Sequence, residues 1–323
     1  MQRREFIQCV PLAMAAATLF VPHLALAEAY KQIRIVVPFA AGGASDAVAR
    51  AIGTHIGESL KTTVLVDNKP GGGGVIGAGA VLASKADGGT LFMASNGSMI
   101  INPVLRNDLR YNPDKDFVLV AAVARAPIFI WARADLPAKS VAELVQLGKK
   151  GPLSAGSAGT GNITHLAIAN VASLTGMQLN HVPFSGDAPA LSTLAGGTLD
   201  LSFNSLIAAQ PLLQAGRIRP VAILDDKRDP SMPDVPTLAE SGYSGALAAA
   251  WFGLTAPAGT PEATVAELNK VTNDALARAD VKERLRTVGF TPLPGSVALF
   301  QQMYDAEAKT WRPLVKKLGL RAD

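Results

Sequence analysis

The 323-residue chain has one cysteine and four histidines, and only 6% of its residues are aromatic. Each scarcity removes a class of chemistry. The one thiol, Cys9, falls inside an N-terminal stretch that reads as an export signal. Arg3 and Arg4 open it, an apolar run spans Val10 to Val21, and Ala25-Leu26-Ala27 supplies a small-x-small cleavage pattern. Cleavage after Ala27 leaves a mature chain with no cysteine. That excludes disulfides, thiolate metal sites and cysteine nucleophiles, and it suits an oxidising compartment. The Arg3-Arg4-Glu5-Phe6-Ile7 run resembles a twin-arginine signal. An uncleaved anchor would need a longer apolar stretch, free of Pro11, Pro22 and His23.

Charge and long apolar runs are also in short supply. The first 27 residues contain two Arg and one Glu, so 28 basic and 25 acidic residues remain, a net charge of +3. No cluster of Lys and Arg alternates with aromatics, which excludes the footprint of a nucleic-acid binder. The longest later apolar run, Ala246 to Leu254, is too short to cross a bilayer. The three histidines of the mature chain, His55, His165 and His181, are too scattered for a zinc site.

What is present is an alternation of strand and helix patterns, the grammar of a parallel α/β fold. Ile33 to Pro38 reads as a strand, Ala40-Ala41-Gly42-Gly43 as a glycine loop, and Val48, Ile52, Ile56 and Leu60 as the apolar stripe of a helix started by Ser45 or Asp46. Thr63 to Val66 and Thr90 to Ala94 read as strands, Val75 to Ser84 as a helix, and Ser95-Asn96-Gly97-Ser98 as a polar turn. The opening device then recurs. Leu153 to Ala155 leads into Gly156-Ser157-Ala158-Gly159-Thr160-Gly161 and a helix carrying Ile163, Leu166, Ala167 and Val171. Val182-Pro183-Phe184 leads through Ser185-Gly186-Asp187 into a helix over Ala188 to Ala195. Just under 300 mature residues are comfortable for two lobes. The β-branched and aromatic stretches Val123 to Trp131 and Leu247 to Leu254 read as two crossings between them, a hinge.

A strand that hands over to a helix through glycines presents unpaired backbone N–H groups at the positive end of the helix dipole, which is an anion site without any charged side chain. Neither Pro38 to Asp46 nor Gly156 to His165 contains Arg or Lys. Two such loops facing across a cleft would grip a carboxylated molecule. Other readings of the glycines fail. Gly72-Gly73-Gly74-Val75-Ile76-Gly77 matches the dinucleotide fingerprint in letters only, because Asp67-Asn68-Lys69-Pro70 separates it from its strand and no acidic residue follows at the required spacing. It reads as close packing. Ala155-Gly156-Ser157-Ala158-Gly159 is one residue from a nucleophile elbow, yet no Asp or Glu lies between Ser157 and either later histidine, and an α/β-hydrolase needs an acid and then a His. His165, inside its helix, reads as a capping or packing residue, and no arrangement for catalysis is found.

Taken in order, several segments resemble one family. They are Val37-Pro38-Phe39-Ala40-Ala41-Gly42-Gly43-Ala44-Ser45-Asp46, Asp67-Asn68-Lys69-Pro70-Gly71, Tyr111-Asn112-Pro113-Asp114-Lys115-Asp116-Phe117, Gly156 to Gly161 with His165, Pro233-Asp234-Val235-Pro236-Thr237 with Glu240 and Gly242, and Trp251-Phe252-Gly253-Leu254 with Ala256-Pro257-Ala258-Gly259-Thr260-Pro261. Nearly the whole mature chain resembles the periplasmic receptors of tripartite tricarboxylate transporters, the Bug family. The resemblance implies a two-lobed, flytrap-like periplasmic-binding-protein fold of type II. Residues 28–126 and 250–323 would form one lobe and 127–249 the other. It implies a monomer, with no cofactor and no metal, that binds a small organic acid for membrane transporter subunits. A sensor feeding a signalling receptor, or an exported serine hydrolase, are the alternatives.

The resemblance places ligand contacts at Phe39, Gly42, Gly43, Ala44 and Asp46 from one lobe and at Ser157, Gly159, Thr160, Gly161 and His165 from the other, with Ser95 and Gly97 at the mouth. It also directs attention to departures. Where the family has an aromatic, then Lys or Arg, then glycine, this chain has Phe184-Ser185-Gly186, followed by Asp187 in place of a small neutral residue. An Asp-Asn pair is replaced by Asn204-Ser205. Asp187 either caps the helix that starts at Ala188 or disfavours a second carboxylate and favours an amine or hydroxyl on the ligand.

Overall fold

The computed structural model describes residues 31–39, 41, 42 and 44–321. The expected export signal and Gly43 lie outside the described residues. The first half of the chain forms β1 (Gln32–Val37), α1 (Ala44–Leu60), β2 (Thr63–Asn68), α2 (Val75–Leu82), β3 (Thr90–Ser95), the short helices α3 (Asn102–Leu105) and α4 (Pro113–Asp116), and the long strand β4 (Phe117–Arg133). Next come α5 (Val141–Lys150), β5 (Leu153–Ser157), α6 (Ile163–Thr175), β6 (Leu179–Pro183), α7 (Asp187–Ala195), β7 (Leu201–Ser205), α8 (Leu206–Gln214) and β8 (Ile218–Ile223). The chain closes with β9 (Ala249–Pro257), α9 (Glu262–Ala277), α10 (Ala279–Thr287), β10 (Thr291–Pro292) and α11 (Val297–Lys317).

Strand pairing divides at one point. Phe117 to Pro127 of β4 pair with β9, whereas Ile128 to Arg133 pair with β7 and β8. The first sheet has the order β2-β1-β3-β9-β4, with the two-residue β10 added on the far edge of β4. The second has the order β6-β5-β7-β4-β8. In each row of five, four strands run one way and the fourth in the row runs against them. In the second sheet that antiparallel strand is β4, which has already served the first. The return passes at Ala248, whose amide donates to Leu224 O and whose carbonyl accepts from Ile128 N, before Ala249 pairs with Pro127.

Side-chain alternation along the strands sets the layers. Ile33, Ile35 and Val37 of β1 join Val48, Ile52 and Ile56 of α1 in one core, while Val36 faces the other way. On β4, Phe129 and Trp131 pack beneath α7 and α8, and Ile128, Ile130 and Ala132 pack on the side of α6. Each large apolar side chain removed from water in this way contributes on the order of 2 kcal/mol. The glycines of the false fingerprint do permit close packing. A Cβ on Gly77 would come within 3.2 Å of Phe92 and Pro38, so these glycines seat α2 against the end of β1.

Polar contacts line the crossing. Arg125 pairs with Asp225 at 2.7 Å, Asn96 donates to Ala249 O at 2.8 Å, and the Trp251 indole donates to Glu307 at 2.8 Å. Burial pushes the Glu307 carboxyl up to about 7, even though the Trp251 bond favours its charged form.

Candidate functional site

The direction of the strands puts the ends that matter in one place. β1 is parallel to β3, β3 antiparallel to β9, and β9 antiparallel to β4, so β1 and β3 run with β4 toward the pairing change. Beyond it, β7 and β8 run against β4, and β5 and β6 run with β7. The carboxyl ends of both sheets therefore point at the same junction. Ser95 stands level with Phe252 and thus with Ala124, and Ser205 stands level with Ile128. Four residues of extended strand separate the two rows of ends, about 13 Å. In doubly wound sheets ligands sit outside the carboxyl ends where the strand order reverses. Here those points fall between β1 and β3 on one side and between β5 and β7 on the other.

In the first sheet, the loop after β1 carries Phe39, which packs edge-on against Phe252 with ring centroids 6.3 Å apart, and its carbonyl accepts from Asn68. Gly42 has φ +81° and open space where a Cβ would be, and its amide donates to Asp46 at 3.0 Å. The helix begins at Ala44, so Ser45 and Asp46 lie in its first turn and not at the cap position assigned from sequence. Both Asp46 oxygens are engaged, one by Gly42 and Arg50 and the other by Arg50, and the guanidinium holds the carboxyl below its usual range. Asp46 thus shapes the loop from within. At the end of β3, Ser95 bonds Ser98, and Gly97 starts a helical turn with no loop between.

In the second sheet, Ser157 ends β5, fully buried, and the loop turns through Gly159 at φ +130° and Gly161 at φ +76°. Thr160 is exposed between them. Asn162 caps α6 by accepting from Thr164 N, and Gly161 donates to His165 Nδ1 at 3.2 Å, which fixes the His165 proton on Nε2. So His165 caps the loop, as its place in the helix suggested. Sequence reasoning gave no role to His181, on β6. Its ring stacks on His165 with centroids 3.8 Å apart, and its Nε2 lies 2.6 Å from Ser157 Oγ. Burial, then the neighbouring ring, pushes His181 down to about 4, and burial lowers His165 as well. Two rings held neutral bring no positive charge. Nor do they make a serine nucleophile, since a base this weak cannot draw the proton from Ser157 and no carboxylate bonds the far side of His181 among the described residues.

The opposite face of the same sheet holds the departures. Phe184 lies against Gly156, and its amide donates to Ser157 O at 3.1 Å. Gly186, at φ +149°, is the residue before α7, and Asp187 is the first residue of that helix. The capping role suggested for Asp187 is thereby corrected. No side chain caps α7, and the Asp187 carboxylate instead receives Asn204 Nδ2 at 2.6 Å from the end of β7. Since Asn204 Oδ1 accepts from Ser202 Oγ, the amide is oriented with its N–H₂ toward Asp187. Burial raises the Asp187 carboxyl above its usual range, against the effect of the Asn204 bond.

Two α/β lobes of matching strand order, joined by two crossings, with carboxyl ends opposed across the joint, define a two-lobed periplasmic binding protein. The chain belongs to the tripartite tricarboxylate transporter family of receptors, whose family model matches residues 48–320. It is a solute-binding receptor, not an enzyme. It is 34% identical to a UPF0065 protein in the tcbD-tcbE intergenic region of Pseudomonas sp. strain P51, over 99% of this chain and 96% of that one. Among solved structures, it is similar to the R. palustris protein Rpa4515 with adipate, with TM-score 0.80 and 34% identity over 90% of this chain and 98% of that one. It is also similar to the periplasmic binding protein BugD, with TM-score 0.76 and 32% identity over 90% of this chain and 99% of that one.

Proposed function

We propose that the chain is exported to the periplasm by cleavage after Ala27, captures a small carboxylated solute between its lobes as a monomer, and presents it to the membrane subunits of a tripartite transporter. One lobe is residues 28–126 and 250–323 and the other 127–249, a division supported by the change of β4 partners after Pro127. The observation that carries this reading is the convergence of both sets of strand carboxyl ends, each followed by a glycine turn and a helix start, on one junction. The carboxylate is received at the Gly42 to Ala44 and Ser157 to Gly161 turns, by the Thr160 N–H and hydroxyl and by sharing the N–H groups that Gly42 and Gly161 give to Asp46 and His165. Phe39, Ser95 and Gly97 flank the first turn, and Thr160, Phe184, Gly186 and Asn204 the second. Asp46 acts through the loop it holds, because both its oxygens are occupied by Gly42 and Arg50, whereas His165 holds its loop through Nδ1 and keeps its Nε2–H for the ligand. Adipate in a relative of 34% identity supports an organic acid as the class of ligand.

The test is titration calorimetry with purified mature protein against short dicarboxylates, amino acids and aromatic acids, paired with thermal melts. A ligand at one hundred times its Kd adds about 2.7 kcal/mol to stability. Absence of heat and of any melting shift across all three groups would end the proposal.

A further inference from the structure

Three arginines of the second lobe are committed away from the junction, and Arg228, on the segment after β8, is taken by Glu240. Arg133 pairs with Asp135 and Asp200, Arg217 donates to Ala195 O, and Arg219 donates to Leu136 O and Ala138 O. All lie at or beyond the ends of β4 and β8 remote from the junction. In the first lobe Arg50 is taken by Asp46, and Arg125 by Asp225. The two histidines beside Ser157 are neutral. Against this background stands one acid. Asp187 follows the loop after β6, and its carboxylate meets Asn204 at the end of β7. The strand order β6-β5-β7 puts that contact across the tip of β5, next to the Ser157 turn. One Asp187 oxygen is occupied. The other has no protein donor among the described residues, and it belongs to the first residue of a helix whose start no side chain caps.

From this arrangement we infer that the solute carries one carboxylate and, at its other end, an N–H donor, an amine or a carboxamide, received by Asp187. The inference rests on the receptor reading above and deepens it. Burial already makes the Asp187 carboxyl costly to ionise, so a second carboxylate at this place would add negative charge where it is least tolerated, whereas an N–H donor completes the free oxygen of Asp187 and favours its charged form. Ser202 adds to the selectivity at one remove. By occupying Asn204 Oδ1, it prevents the amide from turning its oxygen toward Asp187 or its N–H₂ toward a ligand carboxylate. The signal in the sequence is the departure already noted, Asp187 in place of a small neutral residue.

Probes of matched length test it: adipate, its monoamide and 6-aminohexanoate, then succinate, its monoamide and 4-aminobutyrate. Calorimetry with the wild-type protein is expected to show, at one length or both, the monoamide or amine binding tenfold or more tighter than the dicarboxylate, the scale of a hydrogen bond to a charged group. Asp187→Asn and Asp187→Ala, each checked for an unchanged fold by circular dichroism, are expected to reduce that ratio by a factor of ten or more. Dicarboxylates binding at least as tightly as their monoamides and amines in the wild type would overturn the inference and leave the receptor reading intact. So would an unaltered ratio in both variants. If none of the six binds, and the wider panel of acids also fails, both fall together.

Discussion

At the scale of single residues, one tight contact between the two halves involves a glycine. A Cβ on Gly161 would lie 2.2 Å from Leu105 Cδ2, so the turn after β5 rests on α3 of the other half and a side chain there would have to displace the tip of Leu105. Its φ of +76° adds a second constraint, worth about 1–2 kcal/mol for an L-residue. Gly161→Ala is expected to weaken ligand binding at least tenfold, because it both strains the turn and holds the lobes apart. Combining it with Leu105→Ala should return only the part due to the clash. Calorimetry of the single and double variants separates the two; equal affinity of Gly161→Ala and wild type would show that the contact does not belong to the bound state. Such a glycine was legible in the sequence as part of a repeated strand-glycine-helix device, since the requirement is local. The partner of Asp187 was not. Asn204 lies 17 residues away on another strand, and nothing in a linear reading distinguishes an acid that caps its own helix from one that reaches across a sheet.

At the scale of elements, two buried groups give the protein opposing responses to pH. His181 on β6 has its pKa held at about 4, below its ordinary 6.5, so the unfolded chain binds a proton first and stability falls as pH drops from about 6.5 toward 4. Glu307 on α11 is held at about 7, above its ordinary 4.5, so the folded protein keeps a proton that the unfolded chain has lost, and stability falls as pH rises from about 4.5 through 7. The two slopes overlap and offset each other. Glu307→Gln, which still accepts from the Trp251 indole, is expected to melt above wild type at pH 8 and to match it near pH 4.5. His181→Gln is expected to melt above wild type near pH 5 and to match it at pH 8. Differences of about 1 kcal/mol, discounted for the partial exposure of His181, correspond to roughly 2–4 °C. Parallel melting curves for Glu307→Gln and wild type across this range would show that the carboxyl titrates normally. Neither group stood out in sequence. Glu307 sits in a helix of mixed polarity, and it is costly to ionise only because the long strand pair β4 and β9 packs beneath it.

At the scale of the whole molecule, the two crossings place some contacts on the hinge and others at the lips, and the distinction has a measurable consequence. Both crossings were legible as β-branched and aromatic runs, because a strand buried on both faces leaves that trace; the topology that opposes the strand ends was not, because it depends on which strand is antiparallel. Arg125 lies just before the change of partners on β4, and Asp225 follows β8 in the other half. It is the one ion pair between the two halves among the described residues. Groups beside a hinge move little when lobes rotate, so this pair is expected to persist in open and closed forms and to have little differential effect on the equilibrium that ligand shifts. Arg125→Ala should therefore lower stability by about 1 kcal/mol, as for a partly exposed pair, while changing ligand affinity by less than threefold. Gly161→Ala, at the lips, should do the reverse, with affinity falling much more than stability. Small-angle scattering adds the geometric readout: the radius of gyration, about 19 Å for a compact chain of this mature length, should contract on saturation with ligand in wild type and Arg125→Ala and should contract less in Gly161→Ala. If Arg125→Ala instead lost more than tenfold in affinity at unchanged stability, the pair would have to break on opening, and the axis of closure would lie away from the β4 junction.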